Sequence, residues 1–340
     1  MIKPERLRKG DTIATISPSW GCAGSPRIRW KYNLGTERLR ELGLNVVAAP
    51  NSMKGTSYLD QNPQARAEDI MWAFENNDLK AIIANIGGND SVRILPYLNS
   101  EVIMQNPKIL CGYSDVMTLH LYCWRLGLST FYGDNLLTTV AEAQHWHPYS
   151  RYWFEKTLFD PSPVGKIMPS PDWSFSKNHH TDKSYVKDYI PNRGHIRVQG
   201  QGKVHGHLFG GHGGLMEYEK DSGITLQASD FENAILFYED IPEIWSTDYL
   251  KYFFGWLGEC GYLQKLSGVI IGRMCSPEPF EPYAKAIREV VSDKFGLTEL
   301  PIMYGVNFGH SSPICVLPYG AMAELDMDDL SFTITDSGVI

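Results

Sequence analysis

The chain has 340 residues, a formal net charge of −8 and no cluster of basic residues. Single hydrophobic cores stop growing at about 250–300 residues, so two domains are expected. An apolar content of 43% is too high for a disordered chain, and the acidic balance argues against nucleic acid or anionic lipid as a partner. No apolar run approaches the ~18 residues of a membrane span, and the charged start has no signal-peptide pattern, which predicts a cytoplasmic protein.

Residues 1–140 alternate between short apolar segments and amphipathic ones. Strands are predicted at residues 12–16, 45–49, 81–86 and 108–111, and helices at 28–42, 64–76 and 116–126. Strands that are apolar on both faces and separated by helices are typical of a parallel sheet covered on both sides. Ligands bind such sheets beyond the carboxyl ends of the strands, where Gly87-Gly88-Asn89-Asp90 and Gly112-Tyr113-Ser114-Asp115 are expected to lie.

Residues 141–200 are rich in proline and histidine, which predicts a long, partly irregular connection. Beyond this segment the sequence favours strands at residues 203–208, 234–238, 268–271 and 331–335, with helices at 248–257 and 282–294. We therefore predict an α/β protein with three parts. They are a parallel-sheet domain at residues 1–145, a connection at 146–200, and a smaller β-rich domain at 201–340.

The six cysteines are scattered singly, without a C-x-x-C spacing. Disulfide frameworks and zinc ribbons need clustered cysteines, so we expect free, buried thiols. His205, His207 and His212 also suggest a metal site, because His-x-His on a strand places both rings on one face. No carboxylate or cysteine follows them at matching spacing, so no metal is expected.

Ser114 lies between a predicted strand and a predicted helix. This turn geometry exposes a nucleophile and directs helix N–H groups at a developing oxyanion. The segment departs from the G-x-S-x-G pattern, because Val116 stands where the second glycine would be. The alternative role for Ser114 is to cap the helix, and the segment alone leaves the two interpretations evenly matched.

A serine nucleophile needs a histidine base that is oriented by a carboxylate. His310 lies in a glycine-flanked loop after a short apolar stretch, and Glu239 closes a predicted strand. Asp240 and Glu243 are the rival carboxylates. A solvated turn is the simpler interpretation of residues 239–243 and is favoured when that segment is considered alone.

Seven segments together resemble, in order and spacing, the LD-carboxypeptidase family of serine peptidases. They are Ser17-Pro18-Ser19, Ala65-Arg66-Ala67-Glu68-Asp69, Gly87-Gly88-Asn89-Asp90, Gly112-Tyr113-Ser114-Asp115, Phe209-Gly210-Gly211, Glu239-Asp240-Ile241 and Phe308-Gly309-His310. The resemblance implies a triad of Ser114, Glu239 and His310, and an oxyanion hole formed by the N–H groups of Gly88 and Asp115. It also implies a flavodoxin-like or amidotransferase-like α/β domain joined to a smaller β-rich domain, with the triad assembled between them.

Within that family the chain resembles the microcin C immunity branch, through residues 113–118, Phe131-Tyr132-Gly133 and the long connection. The resemblance implies an amidase that needs no metal or organic cofactor and acts, as a homodimer, on a peptide-nucleotide antibiotic. It would cleave between the aminoacyl group and the nucleotide. The alternatives are an LD-carboxypeptidase that removes the terminal D-alanine from murein tetrapeptides, and a catalytically silent protein that binds peptides or nucleotides.

Four residues are expected to contact the substrate: Ser17, Asn89, Trp173 and Phe175. The two aromatic side chains are suited to stacking on a nucleobase, and packing of the connection onto the body is the alternative. The chain departs from the family pattern in two places. His212 stands where relatives usually have asparagine. Asp248-Tyr249 stands where many carry Asp-Arg, so no substrate-carboxylate contact carries over to that position.

Overall fold

The computed structural model describes residues 1–175, 181–218, 224–273 and 279–340. The strands are β1 Thr12–Ile16, β2 Asn45–Ala48, β3 Leu79–Ala84, β4 Ile109–Gly112, β5 Phe131–Tyr132, β6 Gly165–Lys166, β7 Asp172–Trp173, β8 Ile190–Pro191, β9 Ile196–Gln199, β10 Lys203–His212, β11 Ala234–Glu239, β12 Gly268–Gly272, β13 Ile302–Val306, β14 Leu317–Pro318, β15 Met322–Asp326 and β16 Ser331–Ile334. The helices are α1 Arg29–Glu41, α2 Thr56–Gln61, α3 Pro63–Glu75, α4 Ser100–Gln105, α5 Met117–Arg125, α6 Pro148–Leu158, α7 Gly213–Tyr218, α8 Ala228–Phe231, α9 Thr247–Glu259 and α10 Glu281–Arg288. No helix within the described ranges is long and apolar enough to cross a membrane.

The first sheet has six strands in the order β14-β5-β4-β3-β1-β2, and β1 to β5 are parallel. Successive residues of a strand point to opposite faces, and the sheet is buried on both. Ile13 packs in one hydrophobic cluster with Leu39 of α1. Its neighbour Ala14 packs in another cluster, with Ile70 of α3. The helices therefore cover both faces and leave the carboxyl edge of the sheet open for a site.

The second sheet has eight strands in the order β6-β16-β15-β10-β11-β12-β13-β9. Its centre, β10 to β13, is parallel, while the outer strands run antiparallel. All six residues of β11 are buried, with α9 and α10 among the helices whose apolar residues complete the core. The carboxyl end of β11 is Glu239, which brings this buried carboxylate to the edge of the sheet.

The structure confirms the predicted α/β fold class, with a mostly parallel first sheet and a mixed second one. The predicted connection at residues 146–200 contains more regular structure than the sequence indicates, including β6, which pairs with β16, and the pair β7–β8. It contains the helix α6, because Pro148 takes the first helical position, where proline is favoured. It also contains β9, which pairs with β13 of the second sheet. Conversely, β14 from the C-terminal part pairs with β5 of the first sheet, so the two parts interlock.

The cysteine prediction is confirmed for four residues and wrong for one. Cys22, Cys111, Cys123 and Cys315 are free and buried, whereas Cys260 is exposed. Cys260 follows Glu259 as the cap residue of α9, where the chain passes into a connecting segment, and such segments run over the surface. Cys275 lies outside the described residues.

Candidate active site

Ser114 follows β4 at the carboxyl edge of the first sheet and has a φ of +65°. A non-glycine residue in this left-handed region costs about 1–3 kcal/mol, and such strain clusters at functional sites. Ser114 begins a single 3-10 turn that leads into α5. The cap positions belong to Tyr113 and Val116, and neither helix start has a side-chain cap. The capping role considered for Ser114 is therefore not what the structure shows.

The structure brings Ser114, His310 and Glu239 into one hydrogen-bonded row. The His310 Nε2 lies 3.1 Å from the Ser114 Oγ, and the His310 Nδ1 lies 2.7 Å from the Glu239 Oε2. The backbone N–H of His310 donates to the same carboxylate oxygen at 3.1 Å. The Glu239 side chain is 2% exposed and that of His310 18% exposed. The row therefore runs from a buried carboxylate to a hydroxyl at the surface of a cleft.

The other two carboxylates of the turn are placed differently from Glu239. Asp240 faces His212, with its Oδ1 3.3 Å from the His212 Nε2. It also accepts hydrogen bonds from the N–H groups of Gly214 and Ile241. Glu243 is exposed. Of the three rivals, Glu239 alone is placed to orient the imidazole.

The carboxylate of Glu239 and the imidazole of His310 stabilise each other's charged forms. Burial would raise the pKa of Glu239, but the adjacent His310 and two hydrogen-bond donors lower it to about 2. Burial would lower the pKa of His310, but the charge and hydrogen bond of Glu239 raise it above its ordinary value. Burial and the Glu239 charge raise the pKa of Asp240 to about 7, and burial lowers that of His212 to about 4. Glu239 is thus the firmly ionised carboxylate beside the imidazole.

Tyr132, at the end of β5, is a residue whose place in the site the sequence analysis missed. Its hydroxyl accepts a hydrogen bond from the Ser114 N–H at 3.3 Å and donates one to the Glu239 Oε1. The side chain is 1% exposed. One hydroxyl therefore links the backbone of the serine to the carboxylate that orients the histidine. A tyrosine in an apolar strand gives no sequence signal for such a role.

The Gly87-Gly88 turn packs directly against the serine. A Cβ at Gly87 would lie 2.8 Å from the Ser114 Cβ and 3.1 Å from the Asp115 nitrogen. At Gly88 it would lie 2.1 Å from the Ser19 Oγ. The distances of 2.8 Å and 2.1 Å are shorter than real Cβ contacts, so a side chain at either position would force its neighbours to move. The turn therefore passes closer to Ser114 than a residue with a side chain could.

A network of charged groups holds this turn in place. The Asp115 carboxylate accepts hydrogen bonds from the N–H groups of Asp90 and Ser91, each at 2.9 Å. Arg66, which is 1% exposed, binds the Asp90 carboxylate through two nitrogens at 2.8 and 3.0 Å. The Ser19 Oγ donates to Asp90 at 2.9 Å. The loops after β1, β3 and β4 are thereby fixed to one another at the edge of the sheet.

The four expected substrate contacts lie in different surroundings. The Ser17 Oγ is buried and donates to the Ser52 carbonyl at 3.0 Å, so it serves the fold. Asn89 is exposed and lines a cavity. Trp173 is 6% exposed and lies beneath the Arg273 guanidinium, 5.1 Å from the ring centroid. The Phe175 ring lies 5.7 Å from that of Trp173. This arrangement favours packing of the connection for the two aromatic residues.

Two cavities meet at the site. Ser114 and His310 line one of about 200 Å³, together with Asn135 and Thr138. Trp20 and Gly88 line this cavity and also a second one of about 610 Å³. Volumes in this combined range are typical of small-molecule sites.

The three histidines of β10 go to separate partners. His205 lies near Glu324, His207 contacts the Asp230 carbonyl, and His212 pairs with Asp240. Within the described part of the chain, no group of three His, Cys, Asp or Glu side chains is arranged to hold a metal ion.

Family models for two domains match the chain in the expected order. Residues 13–133 match the LD-carboxypeptidase N-terminal domain, and residues 205–325 match the LD-carboxypeptidase C-terminal domain. The chain belongs to the LD-carboxypeptidase family. Ser114 falls within the first matched segment of this serine carboxypeptidase family and Glu239 and His310 within the second, so the row spans both domains.

Relatives match this chain over nearly their whole length. The microcin C7 self-immunity protein MccF of Escherichia coli is 27% identical over 97% of this chain and 94% of its own. A probable murein peptide carboxypeptidase of Bacillus subtilis is 26% identical, covering 99% and 95% of the two chains.

Solved structures of MccF and of an MccF-like protein are also similar to this chain. An MccF-like protein of Streptococcus pneumoniae in complex with AMP has a TM-score of 0.86 and 27% identity, and the match covers 95% of this chain and 98% of that one. MccF in complex with aspartyl sulfamoyl adenosine has a TM-score of 0.85 and 25% identity, and the match covers both chains completely. The likeness to MccF therefore extends through the connection as well as the two domains.

Proposed function

We propose that this LD-carboxypeptidase family member is a serine amidase that hydrolyses a peptide-nucleotide of the microcin C type, between the aminoacyl group and the nucleotide. The observation that carries the proposal is the row of Ser114, His310 and Glu239, which opens into a cleft. The substrate class is supported by the similarity to MccF-like proteins that bind AMP and aspartyl sulfamoyl adenosine.

In the proposed reaction the His310 Nε2 accepts the proton of the Ser114 hydroxyl, 3.1 Å away, as the oxygen attacks the amide carbonyl. Glu239 holds the proton of His310 on Nδ1, which keeps Nε2 free to act as the base. The protonated His310 then donates to the leaving nitrogen, and an acyl-enzyme remains. Water, deprotonated by the same imidazole, attacks the acyl-enzyme and releases the acid.

The oxyanion hole in this proposal consists of the N–H groups of Gly88 and Asp115. The close packing of the Gly87-Gly88 turn on Ser114 supports the assignment, because it brings this backbone beside the reacting carbonyl. The Ser114 N–H is directed to the Tyr132 hydroxyl instead. Neighbouring N–H groups must therefore supply the oxyanion donors.

A second candidate function is the removal of the terminal D-alanine from a murein tetrapeptide. The full-length match to the murein peptide carboxypeptidase of Bacillus subtilis favours it. Both reactions are acyl transfers to Ser114 and use the same row of side chains. They differ in the group that leaves, which is an amine bearing a nucleotide in one case and D-alanine in the other.

The test is a substrate panel read by mass spectrometry. The protein is incubated with an aspartyl-nucleotide amide and with a murein tetrapeptide, and products are identified for wild type and for Ser114→Ala. We expect release of the nucleotide, with a rate that falls by about 10⁴-fold or more in Ser114→Ala. Release of D-alanine alone would favour the murein reaction. Turnover that survives Ser114→Ala would overturn the role of the serine, and tight binding without turnover would indicate a silent binding protein.

A cytoplasmic location and a homodimer belong to the same proposal. A processed toxin of this class acts inside the cell, so an enzyme that detoxifies it must meet it there. Light scattering of the purified protein tests the dimer, for which a mass near twice 38.4 kDa is expected. A monomer at micromolar concentration would contradict it.

A further inference from the structure

The larger of the two cavities has no part in the proposed chemistry, yet it opens beside it. Its volume is about 610 Å³, and it shares Trp20 and Gly88 with the cavity of Ser114. The Trp20 side chain is 40% exposed at this junction. A substrate attached through its scissile carbonyl to Ser114 therefore has room to extend past Trp20. The lining of this cavity decides which chemical group is stable there.

Arg93 is the only lysine or arginine among the described residues that line the two cavities. Its side chain is 44% exposed, and its Nη1 lies 3.0 Å from the Asp90 carboxylate and 3.4 Å from that of Asp60. At first sight these two carboxylates satisfy the guanidinium.

The two carboxylates differ in how much of their negative charge is compensated without Arg93. Asp90 already receives two hydrogen bonds from the buried Arg66 and one from Ser19, which compensate its charge. The Asp60 side chain is 69% exposed, and exposed ion pairs contribute little stability. Arg93 can therefore exchange Asp60 for an anion on a ligand at little cost, while Asp90 and Arg66 hold the wall of the cavity in place.

We propose that Arg93 forms an anion-binding subsite that holds a charged group of the substrate close to the scissile bond. The inference rests on the proposed function, because each candidate substrate carries such an anion. In a peptide it is the terminal carboxylate, and in an aminoacyl nucleotide it is the phosphoryl group. Both have oxygens that match the paired N–H donors of a guanidinium.

Binding is measured directly by calorimetry on Ser114→Ala, which removes turnover from the experiment. Two ligand pairs distinguish the source of the anion: AMP against adenosine, and a murein tetrapeptide against its C-terminal amide. We expect the charged member of one pair to bind about ten- to hundredfold more tightly than its neutral analogue. Adding Arg93→Gln should abolish that difference. An AMP-specific effect identifies a phosphoryl subsite, and a peptide-specific effect identifies a carboxylate subsite.

Two further variants sharpen the test. Asp60→Asn removes the competing carboxylate and should tighten binding of the charged ligand by about two- to fivefold, an effect opposite in sign to that of Arg93→Gln. Arg151→Gln is the matched control, because Arg151 is 43% exposed, pairs with Glu155 at 2.9 Å and lines neither cavity. Arg151→Gln should leave the affinities of all four ligands unchanged. The proposal is overturned if neither pair discriminates, or if discrimination persists in Arg93→Gln.

The same variants separate this inference from the proposed function. In the protein with its serine intact, Arg93→Gln should raise the KM for the charged substrate by a larger factor than it lowers the rate of Ser114 labelling by a neutral fluorophosphonate, because the label carries no anion for Arg93 to bind. If neither candidate substrate is cleaved but the difference in binding that depends on Arg93 remains, the subsite stands and the assigned reaction falls. If cleavage proceeds with an unchanged KM in Arg93→Gln, the subsite falls and the reaction stands.

Discussion

The two sheets contribute to the candidate active site by different physical means. The first sheet supplies Ser114 and fixes it through the backbone, by a left-handed φ and a turn of two glycines packed against it. The second sheet supplies Glu239 and His310, which are fixed by burial and charge. Ser114 should therefore be sensitive to changes in chain conformation, and His310 should be sensitive to pH and to the loss of charge.

The largest effect is expected from Glu239→Gln, which removes the negative charge of this side chain and keeps its shape. The neutral amide no longer stabilises the protonated imidazole, and labelling of Ser114 by a fluorophosphonate should slow on the order of 10⁴-fold. The carboxylate raises the pKa of His310, so the acid limb of the labelling rate should also move to lower pH in the variant.

Asp240→Asn provides the control for this prediction. Asp240 is the next residue after Glu239, but its carboxylate lies beside His212. We expect its labelling rate to fall by less than about tenfold. If the two variants were equally impaired, the difference assigned to the two carboxylates would be wrong.

A smaller effect is expected from Tyr132→Phe, which tests a side chain of the first sheet that contacts both Ser114 and Glu239. The hydroxyl donates to Glu239 and so draws off part of its negative charge. Without it the carboxylate acts more strongly on His310, and the acid limb of Ser114 labelling should move to higher pH. We expect the rate at neutral pH to fall by about ten- to hundredfold, since a hydrogen bond to a charged group is lost.

Tyr32→Phe is the matched control, because it also removes a buried tyrosine hydroxyl, one that lies 2.9 Å from the Thr15 Oγ1. Both variants should lose about 1 kcal/mol of unfolding free energy in urea. Only Tyr132→Phe should shift the pH profile. An unshifted profile would reduce Tyr132 to a packing residue.

The smallest effect concerns the backbone of the first sheet and is measured as stability. At a φ of +65°, glycine is free of the strain that alanine experiences. Ser114→Gly should therefore be more stable to urea than Ser114→Ala by about 1 kcal/mol, although both are inactive. At Ser100, in the helix α4, the order should reverse. Equal stability of the two variants at Ser114 would contradict the strain assigned to the serine.

Much of the fold could be predicted from local patterns. The strand at residues 12–16 was predicted with its observed bounds, because a short apolar run between polar turns has few alternatives. The helix α6 was missed because its sequence surroundings are rich in proline, and a proline at a first helical position is indistinguishable from one in a loop. The pairing of β14 with β5 joins residues that are almost 190 apart, and no local pattern contains that information.

In the candidate site, too, local features could be predicted and contacts between distant residues could not. The turn containing Ser114 was recognisable by its place between a strand and a helix, but neither its conformation nor its partners were. Family resemblance, rather than the local sequence, singled out Glu239 from Asp240 and Glu243. Tyr132 and Arg66 act through contacts with residues far away along the chain, 107 positions in the bond from Tyr132 to Glu239. The role of Tyr132 becomes visible when the two sheets are placed side by side, and that of Arg66 when the loops of the first sheet are brought together.

The position of β14 has a consequence for how the protein is made. This strand completes the edge of the first sheet, whose other strands all precede residue 133. During translation the ribosome must therefore pass residue 318 before that sheet can close. A nascent chain presents Ser114 long before residue 310 has emerged, so the hydrogen-bonded row of Ser114, His310 and Glu239 can form only after both sheets have been made.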